Sequence, residues 1–188
     1  QLQLAASPDS DEMVLVVSNA SSQDYALVWN GSAWGNAQTL SGAGAGNDRT
    51  DIYVAYEQQS GDALVVYGKG TASVHSRTWN GTSWGSEGTL AAPAGASGVA
   101  RWATLASDPT SDRVALGVLT YNANVWLAIW DGAAWQAPVL ATTAASTATA
   151  PAVAVAFEST TGHALATYTE GASYVRYRSW PAAAGWSG

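Results

Sequence analysis

The chain has 188 residues, 47% hydrophobic and only 11% charged, with 10 Trp, no Cys and a formal net charge of −7. The missing Cys excludes disulfides, thiolate metal centres and a Cys nucleophile. A single Lys (Lys69) beside six Arg excludes the phosphate-neutralising surface of a nucleic-acid binder. No apolar run is long enough for a membrane-spanning helix, so no membrane insertion is expected. Gly, Ala, Ser and Thr fill much of the rest, which predicts short strands joined by tight turns. The start, Gln1-Leu2-Gln3-Leu4, is not a signal peptide and carries no initiator Met, so the sequence is expected to be part of a longer precursor. The low Lys content, absent Cys and small-residue bias point to an extracellular or cell-surface protein.

Four copies of one pattern follow in chain order, over about residues 1–48, 49–98, 99–149 and 150–188. The first opens at a strand, turns at Ser10-Asp11 and reaches Trp29-Asn30-Gly31-Ser32-Ala33-Trp34. The second turns at Gly61-Asp62 and reaches Trp79-Asn80-Gly81-Thr82-Ser83-Trp84. The third turns at Ser111-Asp112 and reaches Trp130-Asp131-Gly132-Ala133-Ala134-Trp135. Its strands are predicted at 102–107, 113–121, 125–130 and 137–140, with Asp131-Gly132 supplying the positive φ of a tight hairpin. The fourth turns at Gly162-His163 and reaches Trp180 and Trp186, but stops without the Thr-Leu or Val-Leu ending of the earlier copies. Its outer strand is therefore expected to be missing.

The leading Trp residues are 50, 51 and 50 positions apart. Four antiparallel strands repeating at this interval predict an all-β fold, a β-propeller built of four-stranded blades, with residues 1–188 as one repeat domain. A longer period pairs copies 1 and 3 and copies 2 and 4. Pro8 and Pro109 mark the first pair; His75-Ser76-Arg77-Thr78-Trp79 and Arg176-Tyr177-Arg178-Ser179-Trp180 mark the second.

Gly31-x-x-Trp34, Gly81-x-x-Trp84 and Gly132-x-x-Trp135 resemble the Asp-box of sialidase-like propellers, Ser/Thr-x-Asp-x-Gly-x-x-Trp, in residues and in position within the blade. Trp stands where the Asp would be, so the resemblance implies a propeller blade and carries no catalytic residue. Trp-rich repeats also resemble those of lectin propellers, where aromatic faces stack on sugars. The paired Trp residues have two readings, as sugar platforms or as hairpin and inter-blade packing. Trp102 and Trp126 lie outside the repeated pair and are the candidates for ligand contact. Arg49 and Arg101 precede first strands, near the expected channel mouth, and are weaker candidates. Alternation places Arg77 and Arg178 on the Trp face of their strands, which suits cation–π stacking.

His75 and His163 occupy unrelated repeat positions, and the Asp9-to-Glu12 turn lacks the Gly and spacing of a calcium loop, so no metal or other cofactor is expected. The reading is a non-catalytic extracellular module acting by contact, structural, adhesive or glycan-binding; a fragment of a sialidase-like glycoside hydrolase is the alternative. Because an uncovered strand edge invites pairing, self-association or further blades of the same polypeptide are the expected partners.

Overall fold

The computed structural model describes residues 1–19, 21, 23–41, 52–146, 150–172 and 174–188. Among them every regular element is a strand, and the strands form four separate antiparallel meanders. Blade 1 comprises β1 (Leu2–Ala6), β2 (Glu12–Ser18), β3 (Asp24–Asn30) and β4 (Trp34–Ser41). Blade 2 comprises β5 (Tyr53–Tyr56), β6 (Ala63–Gly68), β7 (Val74–Trp79) and β8 (Gly88–Leu90). Blade 3 comprises β9 (Ala100–Ser107), β10 (Val114–Thr120), β11 (Val125–Trp130) and β12 (Val139–Thr142). Blade 4 comprises β13 (Val153–Phe157), β14 (Ala164–Glu170) and β15 (Tyr174–Trp180), three strands in place of four.

In blade 3, β11 falls on the residues the pattern predicts, β9 starts two residues earlier, and β10 is one residue shorter at each end. The fourth strand starts later than expected, at Val139. Trp130 and Trp135 close the hairpin as an isolated bridge, and Pro138, which has no N–H to donate, delays the ladder until the residue after it. The hairpins themselves follow the expected chemistry. The Asn30, Asn80 and Asp131 side chains accept backbone N–H bonds from residues two and three positions on. Gly31, Gly81 and Gly132 follow them at φ of 91°, 79° and 98°, a region that residues bearing a Cβ resist.

Register makes the blades superimposable: Met13, Ala63, Val114 and Ala164 each pair with the leading Trp of their own blade. Alternation then gives each blade a forward face, toward the next blade in sequence, and a back face, toward the previous one. Val14, Val16, Ala26 and Val28 of blade 1 pack forward on Val54, Tyr56, Val65 and Trp79 of blade 2. Leu64, Val66, Val74 and Leu90 of blade 2 pack on Leu116, Val118, Trp126 and Ala128 of blade 3. Leu119, Val125 and Leu127 of blade 3 pack on Val153, Ala166 and Tyr168 of blade 4. The core is thus a row of three inter-blade layers, each made of the apolar half of two alternating patterns. First strands are neighbours along the row, β1 beside β5, β5 beside β9 and β9 beside β13.

Candidate functional site

Each junction between blades is tied by the leading Trp of the following blade. The Trp79 indole N–H donates to Glu12 Oε2 at 2.9 Å, and the Trp130 indole N–H donates to Glu57 Oε1 at 2.7 Å. At the third junction the Arg113 guanidinium lies over the Trp180 ring, 5.5 Å from its centroid. Glu57 is 2% exposed, and burial pushes its carboxyl above the usual carboxylate value despite the opposing bonds from Ser60 and Trp130. The turns are laced together as well: Asp112 Oδ1 accepts the Gln59 and Ser60 N–H groups at 2.7 and 2.8 Å.

The trailing Trp of each pair packs against the leading one in a tilted to edge-on arrangement, with centroids 5.6, 5.3 and 5.5 Å apart in blades 1, 2 and 3. It also reaches back to the preceding blade. Trp84 donates to Asn36 O at 2.7 Å, and Trp135 donates to Ser76 Oγ at 3.0 Å. The repeated tryptophans therefore act as hairpin and inter-blade ties.

Between blades 2 and 3 these ties leave an open cleft of about 440 Å³ lined by Ser76, Thr78, Ser86, Gly88, Trp130 and Trp135 among others. Ser76 and Thr78 come from the forward face of β7. Gly88 begins β8, and the two indoles stand on the back face of blade 3. Trp135 is half-buried, so part of its indole borders the opening while its N–H is engaged. An indole beside hydroxyls, strand-edge backbone and the charged residues Arg77 and Glu87 is the chemistry that suits a hydroxylated ligand: apolar contact on one side, hydrogen bonds on the other.

The strand carrying Gly88 is anchored by a polar cluster. Glu87 accepts from Tyr67 at 2.5 Å and from Lys69 at 2.7 Å, and His75 Nδ1 lies 3.4 Å away. Burial works to raise the Glu87 carboxyl, but the Lys69 and Tyr67 bonds outweigh it and hold the group below its usual value. Burial lowers His75 and, with the Glu87 bond, raises the Tyr67 hydroxyl. Glu87 is thus committed to partners of its own blade. Among the described residues no group of His, Cys, Asp or Glu has the arrangement of a metal site.

The four residues singled out from sequence do not assemble into this cleft. Trp126 is fully buried, because Val66, Val74 and Leu90 of blade 2 cover its face of β11; its role as a ligand platform is corrected to a core one. Trp102 is half-buried against the layer between blades 3 and 4. Arg101 lies inside β9, not before it, and its guanidinium stacks on Tyr121 at 4.5 Å. Arg49 lies outside the described residues. Arg77 and Arg178 do not stack on their own Trp neighbours as alternation suggested; each donates across its hairpin instead, to Gly85 O at 2.6 Å and to Ser187 O at 2.5 Å. The cleft residues escaped the sequence reading because Ser76 and Thr78 alternate like any strand hydroxyls, and only their meeting with Trp135 distinguishes them.

No protein-family model matches the chain, and no curated protein matches it. Solved structures do resemble it. The lectin BP39L from Burkholderia pseudomallei superposes over 100% of this chain and 54% of its own, with a TM-score of 0.69 at 12% identity. Aleuria aurantia lectin, described as a six-bladed β-propeller with a novel fucose recognition mode, matches over 100% of this chain and 59% of its own, with a TM-score of 0.57 at 14% identity. SapL1 lectin, solved with α-methyl fucoside, matches over 100% of this chain and 62% of its own, with a TM-score of 0.60 at 16% identity. The chain therefore spans little more than half the length of the structures it resembles, and at such identity the likeness speaks for fold. Four meanders, three repeating inter-blade layers and these superpositions together establish the chain as four successive blades of β-propeller type.

Proposed function

We propose that this chain is a non-catalytic carbohydrate-binding propeller module of an extracellular or cell-surface assembly, acting by contact through the cleft between blades 2 and 3. The observation that carries this reading is the half-buried Trp135 indole at an open cleft, its N–H on Ser76, with Thr78 and Ser86 hydroxyls alongside. A pyranose offers the matching surface, a patch of C–H groups on one face and hydroxyls around its rim. The resemblance to propeller lectins, two of them described with fucose or a fucoside, supports the ligand class and makes α-methyl fucoside the first probe.

The test is calorimetric titration with α-methyl fucoside alongside a glycan array. Binding is expected in the wild type and is expected to be lost in Trp135→Ala. Gly88→Val is the companion variant: an added Cβ there would sit 3.5 Å from Ser76 Oγ, ordinary contact, so the blade folds while the cleft fills. Retained glycan binding in both variants would move the site elsewhere, and no binding across the array would sink the proposal. Turnover of a sialoside by the wild type would favour the alternative, a fragment of a sialidase-like hydrolase.

A further inference from the structure

We propose that Asn80 is a site of self-modification, at which the Gly81 backbone nitrogen adds to the Asn80 side-chain carbonyl carbon and the amide is lost as ammonia. The site lies outside the cleft between blades 2 and 3 and rests on no part of the carbohydrate reading. A contrast within the repeat points to it: at one turn position blades 1 and 2 carry Asn-Gly and blade 3 carries Asp-Gly. Asp131 accepts the Ala133 and Ala134 N–H groups at 3.0 and 2.9 Å, as Asn80 accepts those of Thr82 and Ser83 at 3.1 and 2.8 Å. The turn thus takes an amide or an acid in the same geometry.

The two N–H donors are aimed at Asn80 Oδ1, the atom on which negative charge collects when a nitrogen adds to Cγ. Gly81 supplies that nitrogen from a residue with no Cβ to crowd the approach. The Gly81 nitrogen gives up its proton, the N–Cγ bond forms, and the Cγ–Nδ2 bond breaks as the departing ammonia takes that proton, leaving a five-membered succinimide. Water then opens the ring at either carbonyl. One opening gives an aspartate on the ordinary backbone; the other gives an isoaspartate, whose main chain runs through the side-chain carbons. Ammonia released and water consumed balance the two steps, so no reactant beyond solvent is needed.

Ring closure requires the Asn-Gly backbone to turn out of its hairpin geometry, and the two Asn-Gly turns differ in what holds them. Asn30 is the last residue of β3 and pairs with Glu12. Its Oδ1 accepts a third bond, from Ser32 Oγ at 2.9 Å, and β4 pairs at once through Trp34 and Gly35. Asn80 lies beyond the end of β7. Its hairpin is held by the isolated Trp79–Trp84 bridge and by the Gly85 N–H on Thr78 O until the ladder resumes at Ser76 and Gly88. A Cβ built on Gly31 would lie 3.4 Å from Asp11 Cβ, whereas one on Gly81 would meet nothing within 4 Å. Asn80 therefore reacts ahead of Asn30. Asn80 and Gly81 border a cleft of about 290 Å³ together with Asp9, Glu12 and Asp62, so either product adds negative charge to an acidic surface between blades 1 and 2. The aspartate keeps the turn that Asp131 makes. The isoaspartate lengthens the main chain between Trp79 and Trp84 and loosens the hairpin from which Trp84 reaches Asn36 O.

Peptide mapping of the folded full chain, aged in warm, mildly alkaline buffer, tests the proposal. Cleavage after Arg77 and Arg101 releases residues 78–101, in which Asn80 is the only amide side chain, so the converted fraction is read directly. Aspartate and isoaspartate forms of that peptide are expected to accumulate several-fold faster than conversion at Asn30, and to slow in mildly acidic buffer, where the Gly81 nitrogen keeps its proton. A synthetic peptide of residues 77–86 sets the rate of the unfolded sequence. Asn80→Asp, which carries the first product from the start, is expected to melt near the wild type, as the Asp131 turn predicts. Asn80 intact in the folded chain after the synthetic peptide has converted, or conversion at Asn30 as fast as at Asn80, would overturn the proposal.

Discussion

The junction between blades 2 and 3 and the junction between blades 3 and 4 are built on one backbone plan and differ in what they offer. Both have a leading and a trailing Trp from the following blade, and both enclose a cleft, of about 440 Å³ and 360 Å³. In the first, Ser76, Thr78 and Gly88 face the indoles; in the second, Leu127, Ile129 and Val139 hold the equivalent places. Trp135 therefore finds a hydroxyl at 3.0 Å, while the buried indole nitrogen of Trp186 has no protein partner. The repeat dictates where a cleft forms, and the residues on its forward wall decide whether that wall is polar or apolar.

Substitutions at the junctions and their hairpins test this contrast. The largest effect is expected from Leu127→Ala, which removes a fully buried side chain from the apolar junction and should cost about 2–5 kcal/mol in denaturant unfolding. Its counterpart Ser76→Ala gives up the Trp135 bond and should cost about 1 kcal/mol. Similar losses for the two would erase the distinction between a packed and a polar junction.

Gly117→Ala comes next. A Cβ there would lie 2.7 Å from Val153 Cγ2, so blade 4 sits closer to blade 3 than a side chain allows, and overpacking should cost about 1–3 kcal/mol. An unchanged melting midpoint would show that blade 4 yields freely at this junction.

The hairpins give a smaller effect. Gly81→Ala and Gly132→Ala both place a side chain at positive φ, at a cost of about 1–2 kcal/mol. The added Cβ meets nothing at Gly81 but lies 3.0 Å from the Asp112 Cβ at Gly132, so Gly132→Ala should be the more damaging of the two. Thr82→Ala, beside Gly81 on the exposed loop, should stay within about 0.5 kcal/mol of wild type.

The subtlest test is pH. Burial holds the folded Glu57 carboxyl above its unfolded value, so the native state binds the proton more tightly and stability falls as pH rises through that raised pKa. At Asp108, beside the Trp180 junction, burial is outweighed by bonds from Ser111 and Thr110 and by Arg113, and the folded carboxyl lies below its unfolded value. Its contribution is present above the unfolded pKa and lost as pH falls through the folded one. Glu57→Gln should therefore remove stability loss on the alkaline side of the carboxylate range, and Asp108→Asn should remove loss on the acid side. Melting midpoints from pH about 3 to 7, spanning the ordinary carboxylate values, read out both slopes. Parallel slopes for the two variants would contradict the assignment.

Much of the fold was legible in the chain itself. Spacing of the Trp-Asx-Gly-x-x-Trp pattern marked the blades, because a hairpin that needs positive φ after an Asx acceptor admits few residues. Alternation placed Arg77 and Trp79 on one face of β7, where the structure has them. The third strand of blade 3 and the missing strand of blade 4 were equally plain. The candidate site was not, for Trp126 and Ser76 carry no local sign of their surroundings.

By itself, then, the sequence determined the repeat, the strand faces, the hairpins and the absence of Cys or Lys-rich chemistry, since these depend on neighbours within one blade. Only the tertiary structure decided which face meets which blade. That choice buries Trp126 under Val66 and Leu90, opens a cleft at Trp135 and turns Glu57 toward an indole seventy-three positions away. The physical reason is that a period of two says which side chains share a side of a strand, whereas burial, and with it every energy that matters here, is set by what the chain folds against that side.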